Sequence, residues 1–151
     1  MKALSKEQII EALNHDLIAE LSAVEMYGAH AKAIAEDAIV QGVRAILSVE
    51  EDHVQELTKR IEELGGEPAQ PGEAATVAGR AVGAASAQAS TVEMLKLELG
   101  EEQQAIKDYS GQIAEIVDDD ETTTLLEEHL HDEIEHARWL KAQIRALEKR
   151  G

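Results

Sequence analysis

The sequence predicts an all-α protein, an antiparallel four-helix bundle with one long crossover between its second and third long helices. Three observations predict it. Alanine, leucine, glutamate and isoleucine dominate, phenylalanine is absent, and both prolines, Pro68 and Pro71, fall in one short stretch. That is the composition of a helical domain. Core-type residues also recur every seven positions, as Leu126, Glu133, Leu140 and Leu147, and again as Val43, Glu50, Leu57 and Leu64. Such spacing lays a stripe along one helix face. Finally, the pattern is duplicated. Leu13, Glu20, Tyr27 and Ile34 return 82 residues later as Leu95, Glu102, Tyr109 and Ile116, and the Val43 stripe returns after 83 as the Leu126 stripe. Each half is a helix carrying Glu-x6-Tyr followed by a helix carrying Glu-x-x-His.

A single domain over 1–151 suits this length, which is enough to bury a sizeable core. Ser5-x-x-Gln8 has the form of a capping box, so helix A is expected over about 6–36. Helix B follows a short connection near Asp37 and runs over about 39–64, where Gly65-Gly66 stops it as a left-handed cap would. The stretch 65–90 is the crossover: Pro68, Pro71 and Gly72 break helix, and small residues fill the remainder, with room for a short helix. A plain connector is the expected role. Helix C, about 91–117, opens on a second capping box, Ser90-x-x-Glu93. The acidic run Asp118 to Glu121 suits the positive N-terminal end of helix D, about 121–148. A crossover of this length reaches either end of a bundle, so the direction of helix C is open.

Composition also excludes classes of function. No cysteine is present, so disulfides, thiol nucleophiles, zinc ribbons and a rubredoxin-type iron site are excluded. No secretory leader pattern and no apolar run of bilayer-spanning length appears, which reads as a cytoplasmic protein. The formal charge of −17 would repel nucleic acid and anionic membrane. It is explained by a solvated surface, or by a field that attracts cations such as Fe²⁺.

The chemistry lies in the stripes. A carboxylate in an apolar seam is costly unless paired, protonated or bound to a metal. Glu50 and Glu133 stand in such seams, and His53 and His136 follow each at i+3, about 4.5 Å further along the same face. Glu-x-x-His alone is weak evidence, and a third pair, Glu128 with His131, falls on a face shared with Glu135, Arg138 and Arg145. Helical phase rejects that pair. Glu20 and Glu102 lie at matching distances from the two short turns, so all six residues reach mid-bundle. Buried polar pairs that merely fix register would leave four carboxylates and two imidazoles to satisfy one another, with Arg60 as the inner cation. Two divalent ions balance four carboxylates, and two neutral imidazoles complete the shells. Oxygen-rich donors with some nitrogen and no sulfur suit iron or manganese.

Around this set, Tyr27 and Tyr109 sit two turns from Glu20 and Glu102, either as ordinary core tyrosines or holding a ligand carboxylate on a neighbouring helix. Asp132 is placed to orient a histidine across the bundle, which Val49, its counterpart, cannot do. His129 corresponds to Ile46 and reads as a core or pathway residue. His15 and His30 receive no role. Trp139 lies off the inner stripe and marks a contact surface.

With these residues in place, the chain resembles the ferritin-like diiron superfamily. One Glu comes from each of two helices and Glu-x-x-His from each of the other two. The segments ELSAVEMY (20–27), EEDHVQELTKRIEELGG (50–66), EQQAIKDY (102–109) and DEIEHARWL (132–140) are similar to those of bacterioferritin and rubrerythrin relatives. The resemblance implies terminal ligands at Glu20 and Glu102, bridging ligands at Glu50 and Glu133, and one histidine, His53 or His136, per metal. It implies two Fe²⁺ per chain, oxidised by O₂ or H₂O₂. Departures matter too. Glu51 stands where bacterioferritins carry a haem-ligating methionine, so no haem is expected. Leu99 stands where rubrerythrins carry a further glutamate, and the 15 residues after His136 are too few for a fifth helix.

The expected function is thus a ferroxidase-type, non-haem dinuclear iron protein. Its partners would be Fe²⁺, O₂ or H₂O₂, and further copies of itself, at least as a dimer. Two alternatives stand beside it: a dimanganese enzyme resembling manganese catalase, and a metal-free helical assembly module.

Overall fold

In the computed structural model, which describes residues 3–72 and 74–150, five helices appear. They are α1 (Lys6–Ala33), α2 (Asp37–Glu63), α3 (Ala74–Ser86), α4 (Thr91–Glu115) and α5 (Asp120–Arg150). Among the described residues no strand is present, and no helix is long and apolar enough to cross a membrane.

The helix ends follow local chemistry. Gln8 N–H donates to Ser5 Oγ at 3.2 Å, and Ser5 N–H donates back to Gln8 Oε1 at 2.8 Å, a complete capping box. Glu93 N–H donates to Ser90 Oγ at 3.3 Å at the start of α4. At the start of α5, Thr122 N–H donates to Asp119 Oδ1 at 3.0 Å. At the end of α2, Gly65 takes φ +86°. Gly65 N–H donates to the Glu62 carbonyl and Gly66 N–H to the Ile61 carbonyl, the two bonds of a Schellman motif, which needs a residue without a Cβ penalty at Gly65.

Contacts at the two ends fix the directions. Thr91 Oγ1 donates to Glu36 Oε1 at 2.8 Å, so α4 begins beside the α1–α2 turn. At the opposite end Leu4 N–H donates to the Glu115 carbonyl, so α4 runs antiparallel to α1. There Arg60 of α2 meets Asp119 at 3.0 Å and Glu121 at 2.8 Å, so α5 starts where α2 ends and runs back along it. The crossover from Leu64 to Thr91 therefore travels the whole length of the bundle.

It does so as more than a connector. Helix α3 lies along α1 in the same direction, with Gly79 at Ser22, Gly83 at Met26 and Ser86 at His30. A β-carbon on Gly83 would stand 2.9 Å from Met26 Cα, and one on Gly79 would stand 2.6 Å from Ser22 Cβ. The glycines allow backbone to approach backbone here, which is the packing use of the small-residue run. Helix α1 stops at Ala33, three residues short of the expected end, because Ile34 turns extended at φ −70°, ψ 127° and buries its side chain.

The apolar core is in two parts. One gathers Tyr27, Ile34, Val43, Ile46, Met94, Leu95, Leu140 and Ile144 near the α1–α2 turn. The other gathers Leu13, Leu17, Leu57, Ile61, Tyr109, Ile116 and Leu126 toward the opposite end. Between them lies a buried polar layer: Glu20, Glu50, His53, Glu102, Glu133 and His136.

Candidate metal centre

Four helices contribute to that layer: Glu20 from α1, Glu50 and His53 from α2, Glu102 from α4, and Glu133 and His136 from α5. Each sits where its stripe faces the bundle axis, between the two apolar clusters. Ligand-type atoms of Glu20, Glu50, His53 and Glu133 all lie within 4.8 Å of one another. So do those of Glu50, Glu102, Glu133 and His136. Glu50 and Glu133 belong to both groups.

Both imidazoles turn Nδ1 toward the carboxylates. His53 Nδ1 lies 2.5 Å from Glu20 Oε2 and 3.4 Å from both Glu50 Oε1 and Glu133 Oε1. His136 Nδ1 lies 3.2 Å from Glu102 Oε1 and 3.6 Å from the same two oxygens. Glu50 Oε1 and Glu133 Oε1 are buried with no hydrogen-bond partner. Two orphaned carboxylate oxygens shared by two groups that the duplication relates are costly in a folded protein.

The residues around the six are placed to orient them. Tyr27 donates its hydroxyl to Glu102 Oε2 at 2.7 Å, and Tyr109 donates to Glu20 Oε2 at 3.2 Å. Asp132 Oδ2 lies 2.9 Å from His53 Nε2, so it can hold a proton there and leave Nδ1 facing inward. His129 stacks on His53 with ring centroids 3.8 Å apart, and its nitrogens meet Tyr109 OH at 3.3 Å and Glu56 Oε1 at 3.0 Å. With Glu20 and His53 it forms a third close group.

Electrostatics follow from burial and crowding. Burial raises the Glu50 and Glu133 pKa values well above the ordinary carboxylate value, and the charges of Glu20 and Glu102 push both the same way, Glu20 foremost. Burial and the facing carboxylates likewise raise both tyrosines. For His53, burial opposes protonation, but the Glu20 and Asp132 hydrogen bonds and charges outweigh it and the pKa is raised. Burial and the His53 charge bring His129 down to about 2, so its ring is neutral.

Two buried pairs had no sequence reading. His30 is fully buried, with Nδ1 2.6 Å from Glu98 Oε2 and Nε2 2.6 Å from Ser86 Oγ, which ties α3 to α1 and α4. Asp16 is buried and accepts from Gln112 Nε2 at 2.8 Å. The 82-residue offset relates them: Asp16 repeats as Glu98, and His30 as Gln112. That offset was the available signal. His15 is exposed and pairs with Asp108 at 3.1 Å. Arg60 serves the far end of the bundle rather than the polar layer. Trp139 packs across the α2–α5 seam onto Gly42, where a β-carbon would overlap its ring.

The chain is matched over residues 10–150 by the family model of the ferritin-like domain. Among proteins of curated function none matches. Its fold is that of several solved structures. The bacterioferritin-related protein of Bacteroides fragilis, a dodecameric thioferritin, superposes with a TM-score of 0.82 at 20% identity, covering 97% of this chain and 89% of that one. A ferritin-like, diiron-carboxylate protein of Bacillus anthracis gives 0.74 at 24% identity, with 93% and 99% covered. A two-domain protein of Anabaena variabilis, with DJ-1/ThiJ/PfpI-like and ferritin-like domains, gives 0.77 at 18% identity, covering 95% of this chain and 41% of that one.

Proposed function

The chain belongs to the ferritin-like domain family, and from that premise we propose that it is a non-haem dinuclear iron protein that takes up two Fe²⁺ and oxidises them with O₂ or H₂O₂. The observation that carries the reading is the pair of orphaned oxygens, Glu50 Oε1 and Glu133 Oε1, each within 3.6 Å of both inward-facing imidazole nitrogens. A hydrogen-bonded polar core would satisfy those atoms internally. Two cations between two groups that share the same carboxylates satisfy them instead.

The donor set fits. Four carboxylates neutralise two divalent charges, and oxygen with some nitrogen and no sulfur suits iron, with manganese next. In this reading Glu20 and His53 would hold one metal and Glu102 and His136 the other, with Glu50 and Glu133 within reach of both. Tyr27 and Tyr109 fix the rotamers of Glu102 and Glu20, leaving each one oxygen free of the tyrosine. Asp132 keeps a proton on His53 Nε2 so that Nδ1 presents its lone pair, and His129 buttresses that ring as a neutral stacking partner. As substrate, two Fe²⁺ supply two electrons, which with two protons take O₂ to H₂O₂, or H₂O₂ to two waters. The likeness to a dodecameric relative supports a homo-oligomer.

The test is anaerobic Fe²⁺ titration of the metal-free protein, counted per chain, followed by stopped-flow mixing with O₂ and with H₂O₂. Saturation at about two supports the reading, and absence of tight binding overturns it. Metal analysis after native expression with a catalase assay separates iron from manganese.

A further inference from the structure

The duplication is broken around the polar layer, and broken consistently. Moving 83 residues along converts Ala45, Ile46, Val49 and His53 into Glu128, His129, Asp132 and His136, and converts Glu56 into Trp139. On the His53 flank the polar members close the centre by hydrogen bonds, through Asp132 and through the stacked His129 with Glu56. On the His136 flank their apolar counterparts leave a pocket of about 250 Å³, walled by Gly42, Ala45, Ile46, Val49, Trp139 and His136, with Glu135 at its edge. His136 is 8% exposed, the most of the six. The absence of a β-carbon at Gly42 lets the indole lie against α2 as a wall.

From this geometry we propose that the pocket is the subsite for the apolar group of an organic hydroperoxide, which the centre uses as oxidant; the proposal rests on the dinuclear iron reading. Size favours it. The open pocket of about 250 Å³ has room for an aryl or branched alkyl group, far more than O₂ or H₂O₂ would fill. Polarity favours it too, because aliphatic and aromatic walls gain most from a partner with no hydrogen bonds to lose. So does charge. Glu135 at the edge and a formal charge of −17 repel anionic oxidants and leave neutral ones. An apolar group held against Trp139 brings the peroxy group to the His136 side of the centre. The reaction is ROOH + 2 H⁺ + 2 e⁻ → ROH + H₂O: the O–O bond breaks, two Fe²⁺ give one electron each, and water supplies the protons.

Trp139 is the single tryptophan and stands in the pocket wall, so binding is read without any metal. Metal-free protein is titrated with cumyl alcohol, the alcohol that reduction of cumene hydroperoxide yields, while Trp139 emission is followed. A saturable change is expected, lost in Ala45→Leu and in Ala45→Glu, both at an exposed helical position that tolerates them. In the iron-loaded protein, the ratio of the cumene hydroperoxide rate to the H₂O₂ rate should fall in Ala45→Leu by about tenfold or more, the size of a lost apolar subsite. No saturable change, or a change that persists in both variants, overturns the proposal. So does an emission shift that follows protein concentration and assembly mass, which would give the pocket to a second copy of the chain. Failure of the iron reading shows separately, as an Fe²⁺ titration without two equivalents.

Discussion

Tyr27 donates its hydroxyl to Glu102 Oε2 at 2.7 Å, from α1 to α4. Its counterpart in the other half, Tyr109, donates to Glu20 Oε2 from α4 to α1 at 3.2 Å. Each tyrosine serves the carboxylate of the opposite helix, so the two halves of the sequence are locked by exchange of one bond each way. The exchange is unequal, because Tyr109 OH also meets His129 Nδ1 at 3.3 Å.

Removing either hydroxyl should therefore destabilise the metal-free protein, and by different amounts. Tyr27→Phe leaves Glu102 Oε2 without its donor, at a cost of about 1–3 kcal/mol. Tyr109→Phe removes longer bonds from Glu20 Oε2, which keeps His53 Nδ1, and from His129, which keeps Glu56, and should cost less. Urea denaturation of the two variants measures the order. Equal losses would mean that the partners left to Glu20 and His129 offset nothing.

The metal-free protein should lose stability as pH rises. Glu50 and Glu133 are raised well above their ordinary value of 4.5, and Asp16 and Glu98 are raised also, in each case first by burial. A carboxyl whose pKa is raised on folding binds its proton more tightly in the native state. Its contribution is complete below the unfolded value and is lost as pH climbs through the folded one. Melting temperature without metal should fall as pH rises above 6.5, the ordinary imidazole value past which the opposing proton uptake by His129 in the unfolded chain has ended. Metal must displace those protons, so Fe²⁺ affinity should rise over the same interval, with protons released on anaerobic binding. A melting temperature that rises with pH would remove the argument.

Much of this arrangement was legible because the halves repeat. Seven-residue stripes place Glu20, Glu50, Glu102 and Glu133 at one level, and the i+3 spacing adds His53 and His136. The structure brings all six side chains together. What escaped lies one turn away on the same faces. Glu98 precedes Glu102 by four residues and Asp16 precedes Glu20 by four, and a seven-residue count samples only one of the two inward positions per heptad. The direction of α4 escaped because the crossover is long enough for either end. It was fixed by two contacts no pattern encodes, Thr91 with Glu36 and Leu4 with Glu115. Helix α3 was blurred for another reason: a run of alanine and glycine packs by absence of side chains, and absence has no periodicity.

That packing gives a prediction confined to the crossover. Gly83→Ala puts a methyl group 2.9 Å from the Met26 backbone, which cannot retreat as a flexible side chain would. Overpacking of this kind costs about 1–3 kcal/mol, here charged to the seating of α3 rather than to the four long helices. Amide exchange over 79–90 should quicken while protection in α2 and α5 holds. The Ser86–His30 hydrogen bond would be lost with the seat. Uniform loss of protection in all helices would show instead that α3 and the bundle unfold as one unit.

The polar layer itself should be a stability liability without metal. In Glu50→Leu with His136→Leu, one imidazole and one carboxylate with its orphaned oxygen leave the core, and Glu133, Glu102 and Glu20 lose a repelling neighbour. Apolar replacement of buried ionic groups is neutral or stabilising by about 1–4 kcal/mol, and each kcal/mol moves the melting point of a chain this size by about 2–4 °C. The double variant should melt higher than the metal-free wild type and fail to bind two Fe²⁺. Both halves of the result matter. A purely structural polar layer predicts the higher melting point but leaves function untouched, whereas a metal centre predicts that the gain in stability is bought with its ions. Retained stoichiometric Fe²⁺ binding in this variant would take the metal away from Glu50 and His136.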